Sequence, residues 1–354
     1  MLKFFKPKVW IISAGLALGI LSAFLVNWGD PLGTGIAPTC FIRDTAGALG
    51  LHSHLGFQYI RPEIIGLILG SFIAAYGFRE FKARGGSSTL VRFLLGALIM
   101  VGALTFLGCP VRATLRLASG DLNGLTGLAG IAAGTFVGVL FFKRGFNLSR
   151  VSSFSSPYAG WIIPVGMVGL LLLAIFKPSF ILSSPPDSWG WEHAALPLSL
   201  GAGLIVGALA QRSRMCFMGA WRDIYLVRSG YLMSGLVAAL LGAMVFNIIL
   251  GQFNLGFWGE AEGVINNHLW NFLSMALVGL AAALLGGCPL RQLILSGEGD
   301  TDAGATVLGL FAGAALVRNF NVSSCGGDLA TWAPLSVSLG LVFCLAIGFF
   351  MREK

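Results

Sequence analysis

Apolar residues in this chain fall in long unbroken runs rather than in the one-sided stripes of soluble helices or the alternation of half-buried strands. Helices that are apolar on every side belong inside a large core or in lipid. Ten runs come near the length that a helix needs to cross hydrocarbon, about 17–25 residues: Val9–Val26, Ile60–Phe78, Leu90–Leu107, Gly124–Phe142, Gly160–Phe176, Ala194–Ala210, Tyr231–Leu250, His268–Gly286, Ala303–Val317 and Pro334–Met351. Four further segments, Gly35–Leu51, Pro110–Ala118, Cys216–Val227 and Pro289–Ser296, are too short or too interrupted to cross. Non-helical backbone at membrane depth survives only inside protein or beside a watery cavity, so these four are predicted to be re-entrant half-helices.

Composition agrees with the pattern. Of 354 residues, 56 % are hydrophobic and 11 % charged, against about 25 % charged in soluble domains. That excludes a soluble enzyme, a disordered chain and a nucleic-acid binder, and predicts an all-α polytopic membrane protein. Lys3, Lys6 and Lys8 ahead of the first run resemble a signal peptide, but the run has no small-residue cleavage site and reads as a retained first helix. With ten spans and a cytoplasmic N-terminus, only Arg43, Arg61, Arg112, Arg116, Lys177 and Arg318 of the 23 Lys and Arg fall on the outer side. The positive-inside rule therefore favours both termini in the cytoplasm, at the plasma (inner) membrane.

The chain also repeats itself. Gly108-Cys109-Pro110-Val111-Arg112 returns 179 positions later as Gly287-Cys288-Pro289-Leu290-Arg291, and the same offset carries Gly120-Asp121 onto Gly299-Asp300. Cys40-Phe41 returns as Cys216-Phe217, and each is followed by an Arg-Asp dipeptide. The expected organisation is a first repeat over 1–145, a linker with one span over 146–193, a second repeat over 194–320, and a C-terminal loop and last span over 321–354. Four spans per repeat plus the linker span make five crossings between the two starts, which turns the second copy upside down. Inverted repeats suit transporters, whose sites lie near the midplane where broken helices meet.

In Gly-Cys-Pro-x-Arg, glycine allows the bend and proline suits a first helical turn, where its missing N–H leaves nothing unpaired. The free N–H groups of that turn would face back toward the cysteine and favour an anion. Neutral thiols are soft, polarisable partners for another sulphur or for selenium. Cys40, Cys109, Cys216 and Cys288 are therefore expected along one central path, against the bland reading of each as a small buried hydrophobe. Cys325 and Cys344 have no repeat partner and keep the bland reading. Arg112 and Arg291 either attract an anion or pair with Asp121 and Asp300; Arg212 and Arg214 either gather anions at the cytoplasmic mouth or only fix topology. His52, His54, His193 and His268 suit packing roles better than a metal site. The tryptophans suit interfacial anchoring. Gly66–Gly70 and Gly130–Gly134 read as close helix contacts. No cofactor is called for, and six cysteines without a C-x-x-C pair give neither a zinc site nor a disulfide framework.

The Thr39–Asp44 and Tyr59–Gly66 stretches, both Gly-Cys-Pro-x-Arg motifs and Gln211–Phe217 resemble the YeeE/YedE family of sulphur-transport membrane proteins. The resemblance covers essentially the whole chain, and the wording of the first repeat is most similar to the YedE branch associated with selenium metabolism. It implies an hourglass of inverted repeats with re-entrant helices, uptake of thiosulphate or a related compound, and S–H···S contacts from Cys40, Cys109 and Cys288; Cys216 joins them by repeat symmetry. The leading expectation is a transporter or facilitated channel, not an enzyme, for a small sulphur- or selenium-containing anion. Its partners would be that substrate, the lipid bilayer and a cytoplasmic sulphur or selenium carrier protein. The alternatives are a membrane thiol oxidoreductase and a soft-metal permease.

Overall fold

A computed structural model describes residues 7–148, 152–153, 158–258, 265–322 and 329–351. Among these residues the chain forms fourteen α-helices. Ten are long: α1 (Pro7–Asn27), α3 (Pro62–Gly77), α4 (Thr89–Phe106), α6 (Asn123–Lys143), α7 (Tyr158–Phe176), α8 (Leu196–Ser213), α10 (Tyr231–Ile249), α11 (His268–Leu285), α13 (Thr301–Asn319) and α14 (Ala333–Phe350). Four are short: α2 (Pro38–Ala48), α5 (Pro110–Ala118), α9 (Phe217–Val227) and α12 (Pro289–Gly297). The short ones coincide with the four interrupted cysteine segments. A two-residue ladder, β1 (Arg84–Gly85) on β2 (Ser152–Ser153), is a loop clasp rather than a sheet layer. The protein is an all-α polytopic membrane protein.

Eight helical stretches are long and apolar enough to cross a membrane by length and composition, against the ten runs read from sequence. The two long helices outside that set are α8 and α13. Each carries charge near its ends, Arg212 in α8 and Asp302 and Arg318 in α13, and each is rich in alanine and glycine. Both pack against long neighbours, which relieves them of a fully lipid-facing composition. In contrast, α7 and α14 are the least enclosed of the spans and expose Ile162, Val165, Val342 and Phe350.

The dominant pairings are α1 with α10, α3 with α8, α4 with α13 and α6 with α11. Exchanging α1–α6 for α8–α13 turns α1–α10 into α8–α3 and α4–α13 into α11–α6, so this pattern maps onto itself. Loop contacts follow suit. Asn254 N and Gly256 N donate to the carbonyls of Ser119 and Gly120, and Lys82 N and Arg84 N donate to those of Glu298 and Gly299, at 2.9–3.3 Å.

Small residues set the spacing of these pairs. A Cβ on Gly66 or Gly70 of α3 would meet the carbonyl oxygens of Leu200 and Leu204 on α8 at 2.6 and 2.2 Å. One on Gly134 of α6 would lie 2.0 Å from the Ala276 carbonyl on α11. Both glycine pairs expected as close helix contacts are therefore contact points. Gly134→Leu is expected to force α6 from α11 and to destabilise the protein by about 1–3 kcal/mol or more, read as a lower unfolding temperature in detergent; an unchanged temperature would show that this seam tolerates bulk.

Candidate functional site

The cysteines sit where long helices give way to short ones. Leu107, Arg214 and Gly286, each two residues before a cysteine, adopt left-handed backbone with φ of 58, 57 and 81°. This turns the chain so that Cys109, Cys216 and Cys288 become the residues preceding α5, α9 and α12. Glycine takes that conformation freely; at Leu107 it costs about 1–3 kcal/mol, repaid by its surroundings. Pro110 and Pro289 then start their helices at the first position. Cys40 differs, standing third in α2 after Pro38.

All four thiols are buried: Cys40, Cys109 and Cys288 fully, and Cys216 to 6 % exposure. They meet in two pairs. The Cys216 and Cys288 thiols are neighbours, and Cys216 Sγ accepts from Gly219 N at 3.2 Å and Cys288 N at 3.4 Å. Cys40 and Cys109 form the other pair of neighbours. The α5 helix touches α9, and α12 touches α2, so the short helices of the two halves meet.

The arginines do not pair as the motif spacing suggested. Asp121 binds Arg116, at 2.6 Å, and Asp300 binds Arg84 at 2.9 Å. The reason is helical phase. Arg116, one turn beyond Arg112 on α5, lies beside the link that carries Asp121, whereas Arg112 points back toward the cysteines. Arg112 is 1 % exposed, and its hydrogen-bond acceptors are neutral: Leu107 O at 2.5 Å, Cys40 Sγ at 3.1 Å and Gly33 O at 3.4 Å. The Trp189 ring lies 4.9 Å from its guanidinium carbon. A buried cation with only neutral partners is uncompensated, and an anion would relieve it. Its repeat counterpart Arg291 is neutralised by Glu298 at 3.0 Å.

Beside the other thiol pair opens a cavity of about 330 Å³, lined by Cys216, Arg214, Arg222, Asp223, Tyr231 and Arg291. Its arginines are held by acids. Glu298 takes Arg84, Arg214 and Arg291, and Glu80 takes Arg212 and Arg214, all between 2.8 and 3.2 Å. Arg222 binds its neighbour Asp223 at 2.8 Å. Arg212 and Arg214 thus stand at a cavity rim, already paired.

Away from the thiols, a second buried charge cluster was missed by the sequence reading. Arg61 binds Asp44 at 2.9 Å and Asp30 at 3.4 Å, and Asp44 also binds Arg43 at 2.6 Å, all nearly inaccessible. Glu63 is fully buried beside them. Burial, with Glu63 adding its charge, raises the Asp30 carboxyl above the ordinary carboxylate range. The signal available in sequence was Arg43-Asp44 with Arg61-Pro62-Glu63, charges too dense for a lipid-facing stretch. Trp189 was missed as well; nothing in its sequence surroundings marked it among nine tryptophans. The histidines take packing roles: His193 stacks on Tyr59 at 3.9 Å, His52 contacts Arg43 O at 3.0 Å, and His54 and His268 lie beside Phe57 and Phe257. Cys344 is buried in α14, and Cys325 lies outside the described residues.

Long apolar helices interleaved with short helices, three of them preceded by a buried cysteine, define a multi-pass membrane protein. The profile of the sulphur transport family matches residues 1–137 and 212–351, and the chain belongs to that family. It is also similar to the thiosulfate transporter TsuA of Spirochaeta thermophila, 32 % identical over 101 residues. That match covers 28 % of this chain and 30 % of the transporter, so the chain spans about a third of the length of this curated relative.

Proposed function

We propose that this protein carries thiosulphate, or a closely similar sulphur or selenium oxyanion, across the inner membrane into the cytoplasm. The observation that carries the proposal is the contact of Arg112 with Cys40 Sγ: one buried, uncompensated cation and one soft thiol at the same point. Thiosulphate is complementary to that pair. Its oxygens suit a guanidinium, which forms charge-assisted bonds, and its terminal sulphur suits a thiol, a polarisable weak donor. Similarity to a thiosulfate transporter supports the same cargo.

The proposed architecture is a pair of inverted repeats, α1–α6 and α8–α13, related by the exchange that preserves the helix pairings, with both termini cytoplasmic. In this reading the anion is recognised at Arg112, Cys40 and Cys109, passes to Cys288 and Cys216, and leaves through the arginine-rimmed cavity. Trp189 covers the entry side. No covalent step is needed; successive S–H···S contacts replace one another. The delivered anion would meet a cytoplasmic sulphur or selenium carrier protein.

Uptake of labelled thiosulphate, selenite and selenosulphate into vesicles with and without the protein tests the reading. Thiosulphate is expected to enter fastest, and entry no faster than into empty vesicles would refute it. Arg112→Gln should cost a charge-assisted bond of about 1.5–3 kcal/mol, a rise in half-saturating thiosulphate of about 10- to 100-fold, with a normal elution profile. An unchanged half-saturating concentration would remove Arg112 from recognition.

A second reading, thiol oxidoreductase, rests on the Cys216–Cys288 contact, a close pair that sequence spacing did not reveal. It requires oxidation of the pair to a disulfide, with its two electrons and two protons passed to a membrane quinone. Intact mass measured during uptake under non-reducing conditions separates the two readings: the transport reading predicts free thiols throughout.

A further inference from the structure

The charge cluster around Arg61 does not balance. Three carboxyls, Asp30, Asp44 and Glu63, lie with two guanidiniums, Arg43 and Arg61, and all five side chains are buried. Asp44 is fully engaged, with one oxygen on Arg43 and the other on Arg61. Asp30 uses only Oδ1, which accepts from Ala194 N at 3.1 Å and Arg61 Nη1 at 3.4 Å; its Oδ2 has no partner. Neither oxygen of Glu63 has an ion-pair partner; its polar neighbours are the Ser199 hydroxyl of α8 and its own backbone N–H. An ionised carboxylate that is buried and unpaired is strongly disfavoured, and the group takes up a proton instead.

Resting on the transport reading above, we infer that Asp30 and Glu63 share one exchangeable proton, and that this proton enters with the anion, so that uptake is proton-coupled. Arg61 bonds Asp30 and acts on Glu63, and Asp44 faces them from α2. Arg318 of α13, nearly buried, stacks on the Phe57 ring that Arg43 also covers, at 4.3 and 3.7 Å, and so adds positive charge on the Arg43 side of the cluster, away from the pair. Tyr59, with His193 stacked on it, faces them from the loop side. Ser199 faces Glu63 from α8, and Lys177 acts on His193 from beyond. Among the described residues, only Arg61 offers positive charge directly to the pair, and Asp44 already shares it.

The cluster is wired to the thiol site. Asp44 is one helical turn after Cys40 on α2. Arg43, bound to Asp44, lies 5.8 Å from the Trp189 ring, whose other neighbour is Arg112 at 4.9 Å, and Arg112 holds Cys40. An anion settling at Arg112 therefore alters the potential at the carboxyl pair and raises its proton affinity. The step is simple: the O–H bond held by the pair breaks to inner water as the anion leaves, and an O–H bond forms again with a proton from outer water before the next anion arrives. Nothing is oxidised or reduced. The proton offsets part of the charge that an anion must carry inward against a negative interior.

Vesicles holding the full-length protein and a trapped pH-sensitive dye test this. An inward thiosulphate gradient is expected to acidify the lumen of wild-type vesicles, while Glu63→Gln takes up labelled thiosulphate with no acidification and loses the acceleration by external acid. Asp30→Asn should act in the same direction. Labelled uptake by the wild type without acidification would overturn the inference and leave the transport reading standing, and so would acidification by Glu63→Gln equal to that of the wild type. If no labelled thiosulphate enters, the transport reading fails and the coupling fails with it; infrared spectra of the same samples then judge the proton site alone. A carboxylic-acid C=O band at neutral pH that disappears in Glu63→Gln supports the shared proton, and its absence from the wild type overturns it.

Discussion

Cys288→Ala is expected to reduce thiosulphate uptake to the level of empty vesicles while the protein still folds and inserts. The thiol of Cys288 is fully buried beside that of Cys216, so in the proposed path it is the step between the sealed pair and the cavity. Alanine keeps the backbone N–H that donates to Cys216 Sγ but removes the S–H that would pass the anion on. The structural cost of losing one buried sulphur is near the usual single-mutation value, about 1 kcal/mol, too small to account for complete loss. Cys109→Ala should behave alike. Cys344→Ala, equally buried but in peripheral α14, is the control and should transport normally. Uptake that survives in both Cys288→Ala and Cys109→Ala would rule out a thiol relay.

Asp44→Asn is expected to produce the largest loss of stability. Asp44 joins α2 to Arg61 at the start of α3, and Arg61 in turn reaches the carbonyls of Trp189 and Glu192 at 3.2 Å. This one carboxylate therefore holds a half-helix, a long helix and the entry loop together. Breaking a buried pair by removing one partner leaves a stranded charge and costs about 3–5 kcal/mol. The result should be little folded protein on detergent extraction. Asp44→Asn combined with Arg61→Gln removes both charges and is expected to recover part of the folded yield. A single variant as stable as wild type would show that water screens the cluster.

Much of this could be read from the chain itself, because membrane helices announce themselves by length and apolarity. The four half-helices were legible for the same reason: Pro110 and Pro289 follow Gly-Cys pairs at fixed spacing, and polar residues interrupt the apolar runs. Which arginine meets which acid was not legible. Arg112 and Arg116 are one turn apart on α5, and only the path of the chain through Gly120 decides which of them Asp121 can reach. The meeting of Cys216 with Cys288 across 72 positions depends on the packing of both halves, which local sequence does not encode. Glu63 was hidden for a different reason: a single acid in the first turn of a helix looks like ordinary complementation of the helix dipole, and only its full burial without an ion-pair partner distinguishes it.

Entry of the anion to the thiols is the centre of this account, and Cys216, lining the cavity, is the one place where it can be watched directly. The measurement is the rate at which a membrane-impermeant maleimide labels Cys216, read on its own peptide by mass spectrometry with only Cys325 and Cys344 replaced by serine, from each side of the membrane and with or without thiosulphate. The account predicts labelling from the cytoplasmic side that thiosulphate slows. Labelling from the outer side alone, or a cytoplasmic rate indifferent to thiosulphate, would contradict it.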